Sequence, residues 1–421
     1  MTKPLYEVGE IPPLGVVPEK MYASVIRQER YGRPEQAFAT EVIDVPKVGR
    51  GQVLVMVMAA GINYNNVWAS RGMPVDVIGM RQKLGQTEDF HIGGSEGSGV
   101  VWAVGEGVKS VTVGEHVVIS AGMWDETAQD VRLGADPMSS RTLYAYGYEV
   151  NYGTFAQFTI VDDYQCHPKP ANLTWEEAAC YMLTGATAYR QLCGWEPHVV
   201  KPGDPVLIWG GAGGLGCMAI QIARLRGGIP IAVVSDEARA EFCMSLGAEG
   251  TINRTEFDHW GRLPDIGDVQ ASKAWGRSAQ AFGRKIWDIL GERRAPRIVL
   301  EHSGEQSIPT SLYVCDTQGM VVICGGTSGY NGDVDLRHLW MRQKRLQGSH
   351  FAGLKECREL TALIASGALS PCLSACLEFD SIGKAHQMLS DNAHPGGNMA
   401  ALVNAVRTGM TTVETKQMVA V

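Results

Sequence analysis

VLIWGGAGGLG, residues 206–216, is the stretch from which the fold can be read. Val206, Leu207, Ile208 and Trp209 run without a polar break, the pattern of a strand buried on both faces. Glycines follow at once, so the strand ends in a tight turn. Gly211, Gly213 and Gly216 fit G-x-G-x-x-G, and residues 217–225, CMAIQIARL, then carry apolar side chains at helical spacing. In this setting the first glycine makes the turn, the second lets a pyrophosphate approach the backbone, and the third lets helix pack on strand. The free N–H groups at the helix start, around Gly214, Leu215 and Gly216, suit an anion. Alone the motif is weak in a chain with 50 glycines. Between a strand and a helix it predicts nucleotide binding rather than a purely structural turn.

The next strand, residues 230–234, ends at SDEAR, residues 235–239. Asp236 stands where a carboxylate can hold a ribose 2′-OH and select NAD. Ser235 and Arg239 argue the other way, because a hydroxyl and a guanidinium together suit a 2′-phosphate. NADPH is therefore the expected cofactor. The alternative is that Arg239 only decorates a helix surface.

A chain of 421 residues exceeds one ordinary core and implies two domains, and its 45% apolar content can build both. A net charge of −8 gives no general basic field, which excludes nucleic acid and anionic membrane as expected partners. The first residues show no apolar core of signal-peptide length, and no apolar run approaches the ~20 residues of a membrane span. A cytoplasmic protein is expected. Of ten cysteines only Cys372 and Cys376 are close, which reads as reduced thiols rather than a zinc knuckle.

Short strands separated by glycines fill the first part of the chain through residue 161, after an arm at residues 1–20. Residues 174–193 turn helical, with Thr174 as cap and Glu176 and Glu177 in the first turn. Strand and helix then alternate, helices being expected at 237–246 and 278–291 and a last strand of this series at 344–351. Such alternation implies a parallel sheet. Two helices and a strand at 399–403 follow, and the residues after 406 read as an exposed tail. The expected organisation is a β-rich catalytic domain over 1–190, a cofactor domain over 191–350, and a return to the catalytic domain with a tail over 351–421.

These features resemble the medium-chain dehydrogenase/reductase superfamily, carried by GINYNN at 61–66, GGSEGSGVV at 93–101, LTGATAYRQL at 183–192, the glycine turn, and MSLGAEGTIN at 244–253. The resemblance implies an α/β chain: a GroES-like β-rich domain plus a Rossmann domain with a doubly wound parallel sheet. Within it, FHIGGSEGSGVVWAVGEGV at 90–108, WEEAACYMLTGATAYR at 175–190 and WMRQKRLQGSHFA at 340–352 resemble the crotonyl-CoA carboxylase/reductase family. Departures from the zinc alcohol dehydrogenases are informative. Asn63 stands where their first catalytic Cys stands, Ser95 where the His of G-H-E stands, and the lobe of four cysteines is missing. An amide and a hydroxyl are poor zinc ligands, so no metal is expected.

What the resemblance implies is hydride transfer from NADPH to the β carbon of an enoyl-CoA such as crotonyl-CoA, with CO2 capturing the resulting enolate at the α carbon. Asn65, Tyr148, Glu149 and His350 match the family's CO2-binding positions, although Tyr148 stands where Phe is common. Asn65 can donate without supplying a labile proton, but Asn63 and Asn66 flank it and remain alternatives. A carboxylate such as Glu149 beside His350 would fix its tautomer. Thr184, Gly325 and Thr327 are expected near the nicotinamide, and Arg337 with Tyr313 near the CoA moiety. A homodimer or homotetramer is expected by analogy. Two other readings stay open: an enoyl-CoA or quinone-type reductase without carboxylation, and a non-catalytic nucleotide-binding scaffold.

Overall fold

Strand Gln52–Ile62, QVLVMVMAAGI, is buried from its second residue onward. An apolar run of this length needs neighbours on both edges and cover on both faces. In the computed structural model, which describes residues 3–419, it pairs antiparallel with Gly97–Val104, Phe158–Asp162 and Asn398–Leu402. Asn398–Leu402 comes from the far end of the chain and pairs in parallel with Leu373–Leu377. The late chain thus completes the sheet begun by the early chain. Contacts divide the protein into one compact unit of Met1–Leu183 with Ala352–Val421, and a second of Thr184–Phe351.

In the first unit this seven-stranded sheet is accompanied by a three-stranded sheet built on Lys20–Arg27 and Phe38–Asp44. Trp102, Trp175, Phe155, Phe158 and Met56 fill the space between them. The segment after residue 406 is not the exposed tail that its polarity suggests. Met410 and Thr415 are buried, and Thr412–Val419 is helical. Trp175 Nε1 donates to Thr415 Oγ1 at 2.7 Å, Trp175 N to Met410 O at 3.2 Å, and Gly409 N to Glu176 Oε1 at 2.7 Å. The segment is held largely through hydroxyl and backbone groups, which hydrophobic patterning does not register.

The second unit is a six-stranded parallel sheet. Numbered in chain order, its strands lie 3-2-1-4-5-6: Gly250–Asn253, Ile229–Val234, Pro205–Trp209, Ile298–Glu301, Met320–Ile323 and Arg345–Gly348. The order reverses beside Pro205–Trp209, which places a ligand crevice at the carboxyl ends of the central strands. Helix Val269–Leu290 is longer than its pattern predicts, because residues 269–277 lack an apolar stripe while Asp268 caps the start by accepting from Ala271 N at 2.9 Å. Its face of Ala279, Phe282 and Ile286 is buried, with Phe282 stacked on Trp209 at 5.6 Å. The final strand stops at Gly348, short of residue 351, and Phe351 adopts φ +51°.

Candidate active site

The glycine turn divides its tasks differently from the simple reading of the motif. Gly210, not Gly211, takes the left-handed conformation, with φ +57°. A Cβ on Gly211 would lie 2.6 Å from the Ala232 Cβ, so Gly211 serves the close approach of the neighbouring strand. A Cβ on Gly216 would lie 2.3 Å from Gly210 O, which seats the helix on the turn. Gly213 is different: only Gly210 O lies near, at an ordinary 3.4 Å. Gly213 is also the N-cap of helix Gly214–Leu225 and offers no side chain to its first N–H groups. Those of Gly214, Leu215 and Gly216 have no acceptor within the helix, so a pyrophosphate fits there by geometry and by charge.

Beyond the second strand, Arg239 Nη1 donates to Ser235 Oγ and to Asp236 Oδ2, each at 2.8 Å. Asp236 is spent on capping helix Glu237–Ser245, where it accepts from Arg239 N at 3.0 Å. That backbone hydrogen bond, with Ser235 and Arg239, holds its pKa below the usual carboxylate value. The structure therefore groups Ser235 and Arg239 as a hydroxyl–guanidinium pair of the kind that suits a 2′-phosphate.

Thr184 lies in helix Met182–Cys193. Gly325 and Thr327 follow strand Met320–Ile323, and Thr327 N donates to His302 O at 3.2 Å. Two residues at the end of the neighbouring strand Ile298–Glu301, Glu301 and His302, were not singled out by the motifs. Glu301 is fully buried and accepts from Ser303 N (2.8 Å), Gly304 N (3.2 Å), Ser307 Oγ (2.9 Å) and Ser311 Oγ (2.7 Å). Burial pushes its pKa up. The available signal was a Glu-His pair directly after the apolar run IVL.

In the first unit, Asn65 opens helix Asn65–Arg71 and donates from Nδ2 to Ser95 Oγ at 2.7 Å. Fully buried Asn66 is satisfied with its amide turned so that nitrogen donates to Gly147 O at 3.2 Å and oxygen accepts from Gly94 N at 3.3 Å. Tyr148 and Glu149 sit in a tight loop in which Ala145 O accepts from the N–H groups of Tyr148, Glu149 and Val150 at 3.2, 2.9 and 3.2 Å. Glu149 Oε2 takes Ala145 N at 2.7 Å, and burial raises the Glu149 pKa. Here glycines decide the packing. A Cβ on Gly147 would fall 2.1 Å from Gly94 O, and one on Gly153 2.2 Å from Gly93 O. Their absence lets the Tyr148–Glu149 loop lie against the Ser95 loop, which brings Asn65, Tyr148 and Glu149 into one region.

Asn63 is turned away from that role, since its Nδ2 donates at 2.7 Å to the buried Glu96, whose other oxygen accepts Leu183 N at 2.8 Å. Desolvation pushes the Glu96 pKa to about 7. Sequence reading passed over Glu96, although a carboxylate inside the small-residue run GGSEGSG was a signal.

His350 belongs to the second unit, after strand Arg345–Gly348, with its ring stacked on Phe351 at 4.1 Å. Solvent reaches the ring, while crowding by protein atoms lowers its pKa. Arg337 forms a fork on Asp335, with Nε at 3.0 Å and Nη2 at 2.7 Å. Tyr313 meets His338 edge-on at 5.2 Å, and His338 Nε2 lies 3.6 Å from Asp335. Arg337 and Tyr313 thus belong to one polar-aromatic cluster. Lys344 is instead tied to Leu312 O at 2.6 Å.

Among the described residues, no group of three or more His, Cys, Asp or Glu side chains is placed to hold a metal ion, and the ten cysteines form no disulfide. A glycine turn open at Gly213, the Ser235–Arg239 pair, and a largely antiparallel unit with Asn63 and Ser95 at the zinc-ligand places define a nicotinamide-dependent medium-chain dehydrogenase/reductase. The family models agree: residues 49–171 match the alcohol dehydrogenase GroES-like domain, and residues 214–366 the zinc-binding dehydrogenase model. The chain belongs to the crotonyl-CoA carboxylase/reductase family. It is 48% identical to a crotonyl-CoA carboxylase/reductase of Cereibacter sphaeroides, over 97% of this chain and 94% of that one. A solved crotonyl-CoA carboxylase/reductase, AntE in complex with NADP, is 68% identical and superposes with a TM-score of 0.94, covering 96% of this chain and 100% of that one. The 2-octenoyl-CoA carboxylase reductase CinF, solved with NADP and 2-octenoyl-CoA, is 33% identical with a TM-score of 0.85, covering 96% and 92%.

Proposed function

We propose that this protein catalyses NADPH-dependent reductive carboxylation of an α,β-unsaturated acyl-CoA, of the crotonyl-CoA to ethylmalonyl-CoA type. The observation that carries this reading is the seating of Gly147 on Gly94, which lays the Tyr148–Glu149 loop against the Ser95 loop that Asn65 contacts. Bound NADPH supplies a hydride to the β carbon of the substrate. The pyrophosphate is held by the first N–H groups of helix Gly214–Leu225, and the 2′-phosphate by Ser235 and Arg239. Thr184, Gly325 and Thr327 serve the nicotinamide. Asn65 donates an amide hydrogen bond to a CO2 oxygen without offering an acidic proton. Tyr148 shields the carbanionic α carbon from water. Glu149 and His350 complete the polar contacts to CO2 and to the water around it. Arg337 and Tyr313 serve the CoA phosphate and adenine, Arg337 exchanging its Asp335 partner for phosphate.

A second reading, reduction without carboxylation, has one observation in its favour: Tyr148 brings a hydroxyl to a place where the family commonly has Phe. Mass analysis of the product made from crotonyl-CoA and NADPH with bicarbonate decides between them. An ethylmalonyl-CoA product is expected; butyryl-CoA as the sole product would leave plain reduction. Glu149→Gln and His350→Ala are expected to move product from the carboxylated to the reduced form while NADPH oxidation continues. A cytoplasmic location and a homodimer or homotetramer are proposed for the protein.

A further inference from the structure

At the carboxyl end of strand Ile298–Glu301, His302 joins two segments proposed to hold the cofactor, one through its imidazole and the other through its backbone carbonyl. Its Nε2 lies 3.1 Å from Trp209 O, at the end of the strand that leads into the glycine turn. A carbonyl can only accept, so Nε2 carries a proton and donates. Burial lowers the His302 pKa, which favours the neutral ring. The ring also explains the first turn residue: a Cβ on Gly210 would stand 2.4 Å from His302 Nε2. On its other side, His302 O accepts Thr327 N at 3.2 Å, and Ser303 O accepts Ser328 N at 2.8 Å. Gly304 packs where a Cβ would meet Gly329 O at 2.7 Å. Below these contacts Glu301 fixes Ser303 and Gly304, and Ser311 links Glu301 to Trp209 Nε1 at 2.7 Å.

We propose that His302 is a positioning residue for NADPH, which locks the glycine turn that carries the pyrophosphate to the Thr327 loop that serves the nicotinamide. The imidazole ties the glycine turn to a backbone that itself holds the Thr327 loop. Its loss frees the glycine turn from that backbone, whose hydrogen bond to Thr327 stays, without touching the substrate region. The proposal rests on NADPH as the cofactor and predicts that cofactor affinity follows the Nε2 donor rather than the presence of a ring.

The test uses the full chain and NADPH titrated by fluorescence, with three variants. His302→Gln places an amide donor near the Nε2 position, His302→Asn holds its donor short of it, and His302→Leu has none. His302→Gln is expected near the wild-type Kd for NADPH, while His302→Asn and His302→Leu rise roughly tenfold. The KM for enoyl-CoA is expected to stay within twofold. Equal weakening in all three variants, or in none, overturns the proposal, and if His302→Leu fails to fold the Gln and Asn pair still decides. Absence of NADPH binding by the wild type would overturn the cofactor assignment together with the role of His302.

Discussion

Glu96 accepts the Asn63 amide at 2.7 Å with both side chains buried, and its second oxygen takes the backbone of Leu183, the last residue before the cofactor-binding unit. Desolvation outweighs these donors and lifts the carboxyl from 4.5 to about 7. A raised carboxyl contributes stability as long as the folded state holds the proton, and between the two pKa values stability falls as pH rises. That contribution is complete below about pH 4.5 and is lost as pH rises through about 7. The shift corresponds to about 3 kcal/mol. Glu96→Gln should therefore flatten the fall in melting temperature between pH 5 and pH 8. Parallel curves for variant and wild type would show that Glu96 does not titrate in this window.

Arg239 holds Ser235 Oγ and Asp236 Oδ2 at 2.8 Å, so its guanidinium is already oriented beside the hydroxyl. A charge-assisted hydrogen bond contributes about 1.5–3 kcal/mol. Arg239→Ala should raise the KM for NADPH at least about tenfold and change that for NADH by less than about twofold. Steady-state kinetics with both cofactors checks this, and equal weakening would remove Arg239 from phosphate recognition.

Three neighbouring asparagines separate by what they already hold. Asn63 is engaged by Glu96, and Asn66 is buried between Gly94 and Gly147, whereas Asn65 is half-buried with Ser95 as its neighbour. Asn66→Ala strands buried backbone groups and should lower stability by about 1–3 kcal/mol. Asn65→Ala should leave the melting temperature within about 2 °C and shift the product from carboxylated to reduced. Measuring melting temperature and product ratio on both variants distinguishes the two, and a product shift confined to Asn66→Ala would assign CO2 to the wrong asparagine.

The parallel unit was legible because VLIWGGAGGLG combines a fully apolar strand with a glycine-rich turn and a helix start. Ser235 and Arg239 were legible for a similar reason, since short local spacing fixes where they lie. Glu96 and Glu301 were not. Each is a carboxylate inside an apolar or small-residue run, and its meaning depends on donors that strand periodicity does not report, Leu183 far along the chain for one and Ser307 with Ser311 on the following helix segment for the other. Periodicity reports which face is buried, not which buried acceptor is satisfied. The segment after residue 406 escaped for the same reason, because Thr415 and Gly409 are held by Trp175 and Glu176 through polar groups.

The glycines of the turn allow the structural and ligand-facing parts of the motif to be separated by one methyl group. Gly213 has φ −77°, which alanine adopts freely, and the added Cβ meets only Gly210 O at 3.4 Å. Gly213→Ala should fold with an unchanged melting temperature and still lose NADPH affinity by about tenfold or more, because the methyl occupies the approach of the pyrophosphate. At Gly216 the same methyl lies 2.3 Å from backbone oxygen, which cannot yield as a side chain would, and overpacking of this kind costs about 1–3 kcal/mol. Gly210→Ala combines φ +57° with a contact of 2.4 Å to His302 Nε2. Left-handed backbone alone costs about 1–2 kcal/mol, so this variant should melt lower and bind NADPH more weakly together. Thermal melts with and without NADPH on the three variants check the order, and a Gly213→Ala protein with wild-type affinity would place the pyrophosphate elsewhere than on this turn.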